Sequence, residues 1–247
     1  MADEADAAEA ELVKKSGYIP IRSHEPDAAK AIKALKKCAD DFVLSSAPNC
    51  TLVWKRPYFR FEGAGAALAE LLRNDLGLGT APVGDLASAL RYRGVVIEEA
   101  KLPKDVGSIA LWDMSRKAPT IVLNSSVTAE RRLYRLAYEL GSVALYASLG
   151  VRLDETLEQH RFLTDFTASF LMPGVTVRTC VAATGIAPDE WNINNIRPIK
   201  SYFGVSMESF ALRLEELGLI TPEKRLFLRD WCRAHYKIHP KAMEPKA

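Results

Sequence analysis

Leu136-Ala137-Tyr138-Glu139-Leu140-Gly141-Ser142 lies inside a long helical stretch that begins at Thr128 and ends before Gly150. Thr128 suits an N-cap, because its hydroxyl can accept from a free N–H in the first turn. Gly150 suits the stop, because glycine enters the left-handed region without a Cβ clash. Arg131 and Arg132 follow Glu130 in the first turn. Residues four apart share one helix face, so Tyr138 and Ser142 stand one turn apart with Glu139 beside the first. A carboxylate in so apolar a stretch needs a partner if it is buried. Tyr138, Ser142 or an arginine from another element can supply one.

Outward from this helix the chain reads as alternating helices and short strands. Residues 28–42 predict a helix with Ala29, Ile32, Leu35 and Ala39 on one face. Residues 66–76 and 83–93 predict two more, stopped by Gly77 and Gly94. Val95-Val-Ile97, Ser108-Ile-Ala-Leu-Trp112 and Thr120-Ile-Val-Leu123 are β-branched runs divided by Pro, Gly and Asp, the pattern of a small sheet. Helices follow over 155–171, 193–203, 207–217 and 222–236. Between Thr51 and Phe61, basic residues interleave with aromatics (Trp54, Lys55, Arg56, Tyr58, Arg60). Such a run can stack on single-stranded bases, but a strand packing its rings is the simpler reading. No internal repeat is present.

Two histidines four residues apart on such a helix, with a glutamate after the first, make His-Glu-x-x-His. The imidazoles hold Zn²⁺, the glutamate takes a proton from the bound water, and a third ligand comes from the next helix. Tyr138-Glu-Leu-Gly-Ser142 occupies that frame. With its surroundings, the sequence resembles the ImmA/IrrE family of zinc metallopeptidases from about Ala66 to Ile220. The resemblance rests on Pro82-Val-Gly-Asp-Leu leading to Gly94-Val-Val, on Ile121-Val-Leu-Asn124, and on Tyr138-Glu-Leu-Gly-Ser142. It continues through Phe166-Thr-Ala-Ser-Phe-Leu-Met-Pro173, then Phe203-Gly-Val-Ser206 leading to Arg213-Leu-Glu-Glu-Leu-Gly-Leu-Ile220. It implies an α+β, zincin-like metallopeptidase fold with a small β-sheet and a helical C-terminal lobe. Family members cleave or antagonise helix–turn–helix repressors, often in mobile genetic elements or stress responses.

The chemistry departs from the family pattern. Tyr138 and Ser142 stand where the resemblance places the two motif histidines, and Tyr146 stands where many members carry a further one. Glu139 alone keeps its place, as a vestigial general base. The third ligand would be acidic and lie on the next helix, where the candidates are Glu158 and His160. A phenol or hydroxyl must lose a proton of high pKa before it binds zinc well. The ligands that remain cannot close a three-ligand catalytic site. The expectation is therefore no metal: the zinc expected for the family has lost its ligands, and a hydrogen-bonded polar plug takes its place. A weak site made by His160, Glu139 and Glu158 is the alternative.

Composition agrees with this poverty of metal chemistry. The chain has 247 residues, of which 48% are apolar and 26% charged, so disorder and collagen-like repeats are excluded. Only His24, His160, His235 and His239 are histidines, and the four cysteines show no Cys-x-x-Cys pair. His235 and His239 share a face but sit against Pro240 at the chain end. No apolar run approaches the roughly 20 residues of a membrane span. The start lacks the basic and apolar regions of a signal peptide, so a cytoplasmic location with reduced thiols is expected. The organisation expected is an N-terminal extension (1–62), a zincin-like domain (63–178) and a helical lobe with a basic tail (179–247).

The formal charge of +2 hides an uneven spread. Residues 1–13 carry five acids and no base, whereas Pro222–Ala247 carries seven bases against three acids. Ile193–Leu217 fits helix, turn, helix, with Gly204 at the turn and Ser206 as N-cap. Its second helix offers Met207, Glu208, Ser209, Arg213, Glu215 and Glu216 as exposed candidates, and acids repel phosphate. A structural or protein-binding role is preferred there. Lys200 and the basic stretch from Lys224 to Lys241 leave a phosphate contact as the competing reading. The sequence thus points to a metal-free pseudopeptidase that binds a protein such as a helix–turn–helix repressor. A zinc peptidase with an altered ligand set and a DNA-binding transcriptional regulator are the alternatives.

Overall fold

A computed structural model describes residues 11, 15–22, 28–41, 50–52, 63–150, 153–154, 156–187 and 190–238. Most of the acidic start, the aromatic–basic run from Trp54 to Arg60, His24, and the tail from His239 lie outside the described residues. Four strands and nine helices occur among those described. They are β1 (Tyr18–Pro20), α1 (Ala28–Asp41), α2 (Ala64–Asp75), α3 (Leu86–Tyr92), β2 (Val96–Ala100), β3 (Ser108–Asp113) and β4 (Ala118–Asn124). The helices α4 (Ala129–Leu149), α5 (Leu157–Leu171), α6 (Gly174–Ala183), α7 (Ile193–Phe203), α8 (Met207–Glu216) and α9 (Pro222–Ile238) complete the chain.

The strands form one mixed sheet in the order β1-β3-β4-β2. The β3–β4 hairpin is its centre, with Ile109 opposite Val122 and Leu111 opposite Thr120. β2 joins β4 in parallel and β1 joins β3 antiparallel. Side chains alternate across a strand, which separates the two faces. Ile109, Leu111 and Val122 pack against Ala31, Ile32 and Leu35 of α1. Ala110, Ile121 and Leu123 turn the other way, into the large core shared with α2, α4 and α5. Ser108 points to that second face, two residues before Ala110. The fold is therefore mixed α+β with a small sheet, as the sequence indicated.

α4 keeps the limits read from its ends. Thr128 accepts from the Arg131 N–H at 3.4 Å, and Gly150 sits at φ 69° with its N–H donating to the Tyr146 carbonyl. Every residue from Leu136 to Leu145 is buried, so the middle of α4 is a core helix with no solvated face. α5 lies across it. A Cβ built on Gly141 would come within 2.7 Å of a Phe166 ring carbon, so the glycine is what permits the close approach.

Two buried arginines explain why separated sequence signals occur together. Arg213 of α8 donates to the Met172 carbonyl at 3.1 Å and to Ser169 Oγ at 3.1 Å. It thereby ties the Leu-Met-Pro end of α5 to the Arg-Leu-Glu-Glu helix. Arg73, 3% exposed, donates to the carbonyls of Gly79, Ala81 and Phe170. Burial pushes its pKa down from the ordinary arginine value. Replacing Arg73 by Met leaves these carbonyls to find other donors. The expected loss, read by urea unfolding, is about 3 kcal/mol, since each unsatisfied buried acceptor costs about 1–3 kcal/mol.

The charges at the C-terminal end compensate one another. Glu215 of α8 pairs with Arg225 of α9, and Glu208 pairs with Arg233 at 3.2 Å. The acidic second helix and the basic last helix are two sides of one packed pair. Three expectations for this region change. Met207 and Arg213, taken as exposed, are buried. Lys200, taken as a phosphate contact, is 3% exposed along its side chain and lies 3.8 Å from Glu130 of α4.

Candidate functional site

Glu139 is fully buried, and its partner is an arginine from another element. Arg22 Nη2 donates to Glu139 Oε1 at 2.9 Å, and Ser108 Oγ donates to the same oxygen at 2.6 Å. Glu139 Oε2 has no hydrogen-bond partner among the described residues. Arg22 is itself only 8% exposed, so this is an ion pair taken almost wholly out of water. Such pairs survive desolvation only with close geometry and added hydrogen bonds. Ser108 supplies one of these.

Local backbone geometry brings Arg22 to the site. β1 runs along the outer edge of β3, with Tyr18 opposite Asp113 and Pro20 opposite Leu111. The Ile21 N–H then donates to the Ala110 carbonyl at 3.0 Å. On the far side, the Leu153 N–H donates to the Ile21 carbonyl at 2.9 Å, and Arg22 forms a parallel bridge with Leu153. The arginine is thus clamped between β3 and the segment that follows α4. Asn124 holds the opposite end of the site. Its side-chain amide donates to the Pro103 carbonyl at 2.9 Å and the Val106 carbonyl at 2.7 Å, fixing the loop that delivers Ser108.

Tyr138 and His160 come together. Tyr138 Oη and His160 Nδ1 are 3.2 Å apart, the rings being tilted with centroids 6.2 Å apart. Arg22 Cζ lies 5.8 Å from the centre of the Tyr138 ring, within cation–π range. Ser142 turns inward: its hydroxyl donates to the Tyr138 carbonyl one turn back, at 3.2 Å, as buried helical serines do. Tyr146 stacks obliquely with Trp112 at 5.4 Å, at the far end of α4. Glu158 is exposed in the first turn of α5. Among the described residues it shares no hydrogen bond with Tyr138, Glu139, Ser142 or His160.

This arrangement does not suit zinc. Among the described residues, no three His, Cys, Asp or Glu side chains are grouped so as to hold a metal ion. The alternative set of His160, Glu139 and Glu158 does not converge. Glu139 faces a guanidinium, His160 faces a phenol, and Glu158 faces water. The Ser142 oxygen, bonded into its own helix, is not presented as a ligand. What the arrangement offers chemically is fixed positive charge. A cavity of about 230 Å³ opens beside the ion pair, lined by Arg22, Arg135, Tyr138, Gln159, His160 and Leu163 among others.

The sequence did not reveal Arg22, Ser108 or Arg135 as site residues. The only signal for Arg22 is a charge ending the apolar run Tyr18-Ile-Pro-Ile21.

The family model described as IrrE N-terminal-like domain, Peptidase_M78, matches residues 90–215. No curated protein matches at a significant level. A solved structure, a Mycobacterium tuberculosis transcriptional regulator, aligns at 19% identity with a TM-score of 0.41. The alignment covers 63% of this chain and 47% of that one. The chain thus spans about half the length of that structure. No single helix among the described residues is long and apolar enough to cross a membrane.

Proposed function

The chain belongs to the IrrE N-terminal-like family, Peptidase_M78, and from that premise we propose that it is a non-catalytic, metal-free member acting as a regulatory protein-binding module. The observation that carries this reading is the Arg22–Glu139 ion pair. A general base must reach a water held by the metal. Here the carboxylate in the general-base frame is sealed in the core, with its charge already neutralised by a guanidinium. Tyr138 and Ser142 add a phenol and a back-bonded hydroxyl where two imidazoles would be needed. The charge of Glu139 is thus balanced by Arg22.

In this reading residues 63–178 form the peptidase-like unit, 1–62 the extension that supplies Arg22, and 179–247 the helical lobe. The partner is a repressor of the helix–turn–helix type, bound in the cytoplasm and left uncut. The DNA-binding alternative gains nothing from the helical lobe, where Glu208 and Glu215 already occupy Arg233 and Arg225. To test the proposal, the purified chain is incubated with a helix–turn–helix repressor encoded beside its gene. The expected result is a complex on gel filtration with the repressor at full length. Cleavage of the repressor, with or without added zinc, would contradict it.

A further inference from the structure

The cavity beside Tyr138 contains more cationic chemistry than the ion pair uses. Arg22 is balanced by Glu139. Arg135, on the turn of α4 before Tyr138, lines the same space. It is half-buried and has no hydrogen bond or ion pair among the described residues. A guanidinium in that position is ready to bind an anion, because its fork of N–H donors matches an oxyanion and its charge has no ion-pair partner among the described residues. Gln159 lines the cavity too, and its side-chain amide Nε2 carries two N–H donors of the kind an oxyanion accepts from. His160 completes the polar wall. When Tyr138 donates to Nδ1, the other ring nitrogen carries the proton and can itself donate.

We propose that this cavity is a binding site for a compact oxyanion, a small carboxylate or inorganic phosphate, held by Arg135 with Gln159 and His160 completing the contact. At about 230 Å³ the space is below the usual range for drug-sized ligands, roughly 300–1,000 Å³, and it suits a small ion rather than a peptide. The inference rests on the reading that no metal occupies the cleft.

Gly107 is part of the device. A Cβ built there would lie 2.6 Å from Arg135 Nε and 3.1 Å from its Cδ and Cγ. The arginine stem therefore crosses the bare backbone at the entry to β3, and the absence of a side chain at position 107 sets where its charge rests. The colliding atoms belong to a flexible side chain, so Gly107→Ala moves the arginine rather than unfolding the chain. It displaces the charge without removing it.

The test is isothermal titration of the full-length chain with succinate and, separately, with sodium phosphate, at constant ionic strength, zinc content being measured on the same sample. Saturable one-to-one binding of either anion is expected, and the stronger one identifies the group recognised. Arg135→Gln should weaken it at least tenfold, and Gly107→Ala should weaken it similarly while the melting temperature stays near that of the parent. Failure of both anions to bind zinc-free protein, or equal affinity in Arg135→Gln, would overturn the assignment and leave the metal-free reading standing. Stoichiometric zinc would remove the metal-free reading instead.

Discussion

Replacing Arg22 by Met should cost about 3–5 kcal/mol of folding stability, because it strands a buried carboxylate without its counter-charge. The geometry makes the loss severe. Glu139 is fully buried, and its Oε1 would keep only the Ser108 hydroxyl. A surface ion pair of the same length is worth roughly 0–1 kcal/mol, so the size of the effect reports on burial. The double replacement Arg22→Met with Glu139→Leu should recover most of the loss, since removing both charges of a buried pair is often near neutral. Chemical denaturation of the two single variants and the double variant completes the cycle. A deficit under 1 kcal/mol for Arg22→Met would mean that the pair is not formed in solution.

Gly65→Ala is the other large effect. The built Cβ meets the Phe162 carbonyl oxygen at 2.5 Å and the Phe166 nitrogen at 2.7 Å. Both are backbone atoms of α5 and cannot rotate away. Asp165 Oδ2 also lies 2.8 Å from that Cβ, and it accepts from the Ala66 N–H at 3.0 Å, capping the first turn of α2. One added methyl group would therefore separate α2 from α5 and break the cap. Overpacking of this kind costs about 1–3 kcal/mol, and more where the backbone must shift. Gly141→Ala is the contrast. Its nearest neighbour is a Phe166 ring carbon at 2.7 Å, and a ring can turn, so the smaller loss is expected there. Urea unfolding of both variants side by side checks the order.

Much of the scaffold was legible because its signals are local. Thr128 and Gly150 announce the ends of α4 through cap chemistry that needs no tertiary partner. The turn Gly204-Val205-Ser206 is equally plain: Gly204 sits at φ 68° and Ser206 accepts from the Ser209 N–H at 3.1 Å. What stayed hidden depends on distant partners. β1 has three residues and no room for alternation, and its pairing with β3 links Tyr18 to Asp113. The role of Arg22 follows from that pairing alone. α6 was missed because Met172-Pro173-Gly174 reads as a break, whereas Pro173 is the residue that starts the next helix. Lys200 looked like a surface base because sequence periodicity does not show Glu130 reaching it from α4. In the site itself, the departure of Tyr138 and Ser142 from the histidine pattern was visible. The identity of the cation beside Glu139 was not.

The central claim is that a guanidinium takes the place of a metal ion beside Glu139. Its most direct test is the metal content of the chain purified without chelator, followed by titration with Zn²⁺. The account predicts far less than one zinc per chain and no tight one-to-one site, in the parent and in Glu139→Gln alike. One zinc per chain that is lost on Glu139→Gln or His160→Ala replacement would contradict it.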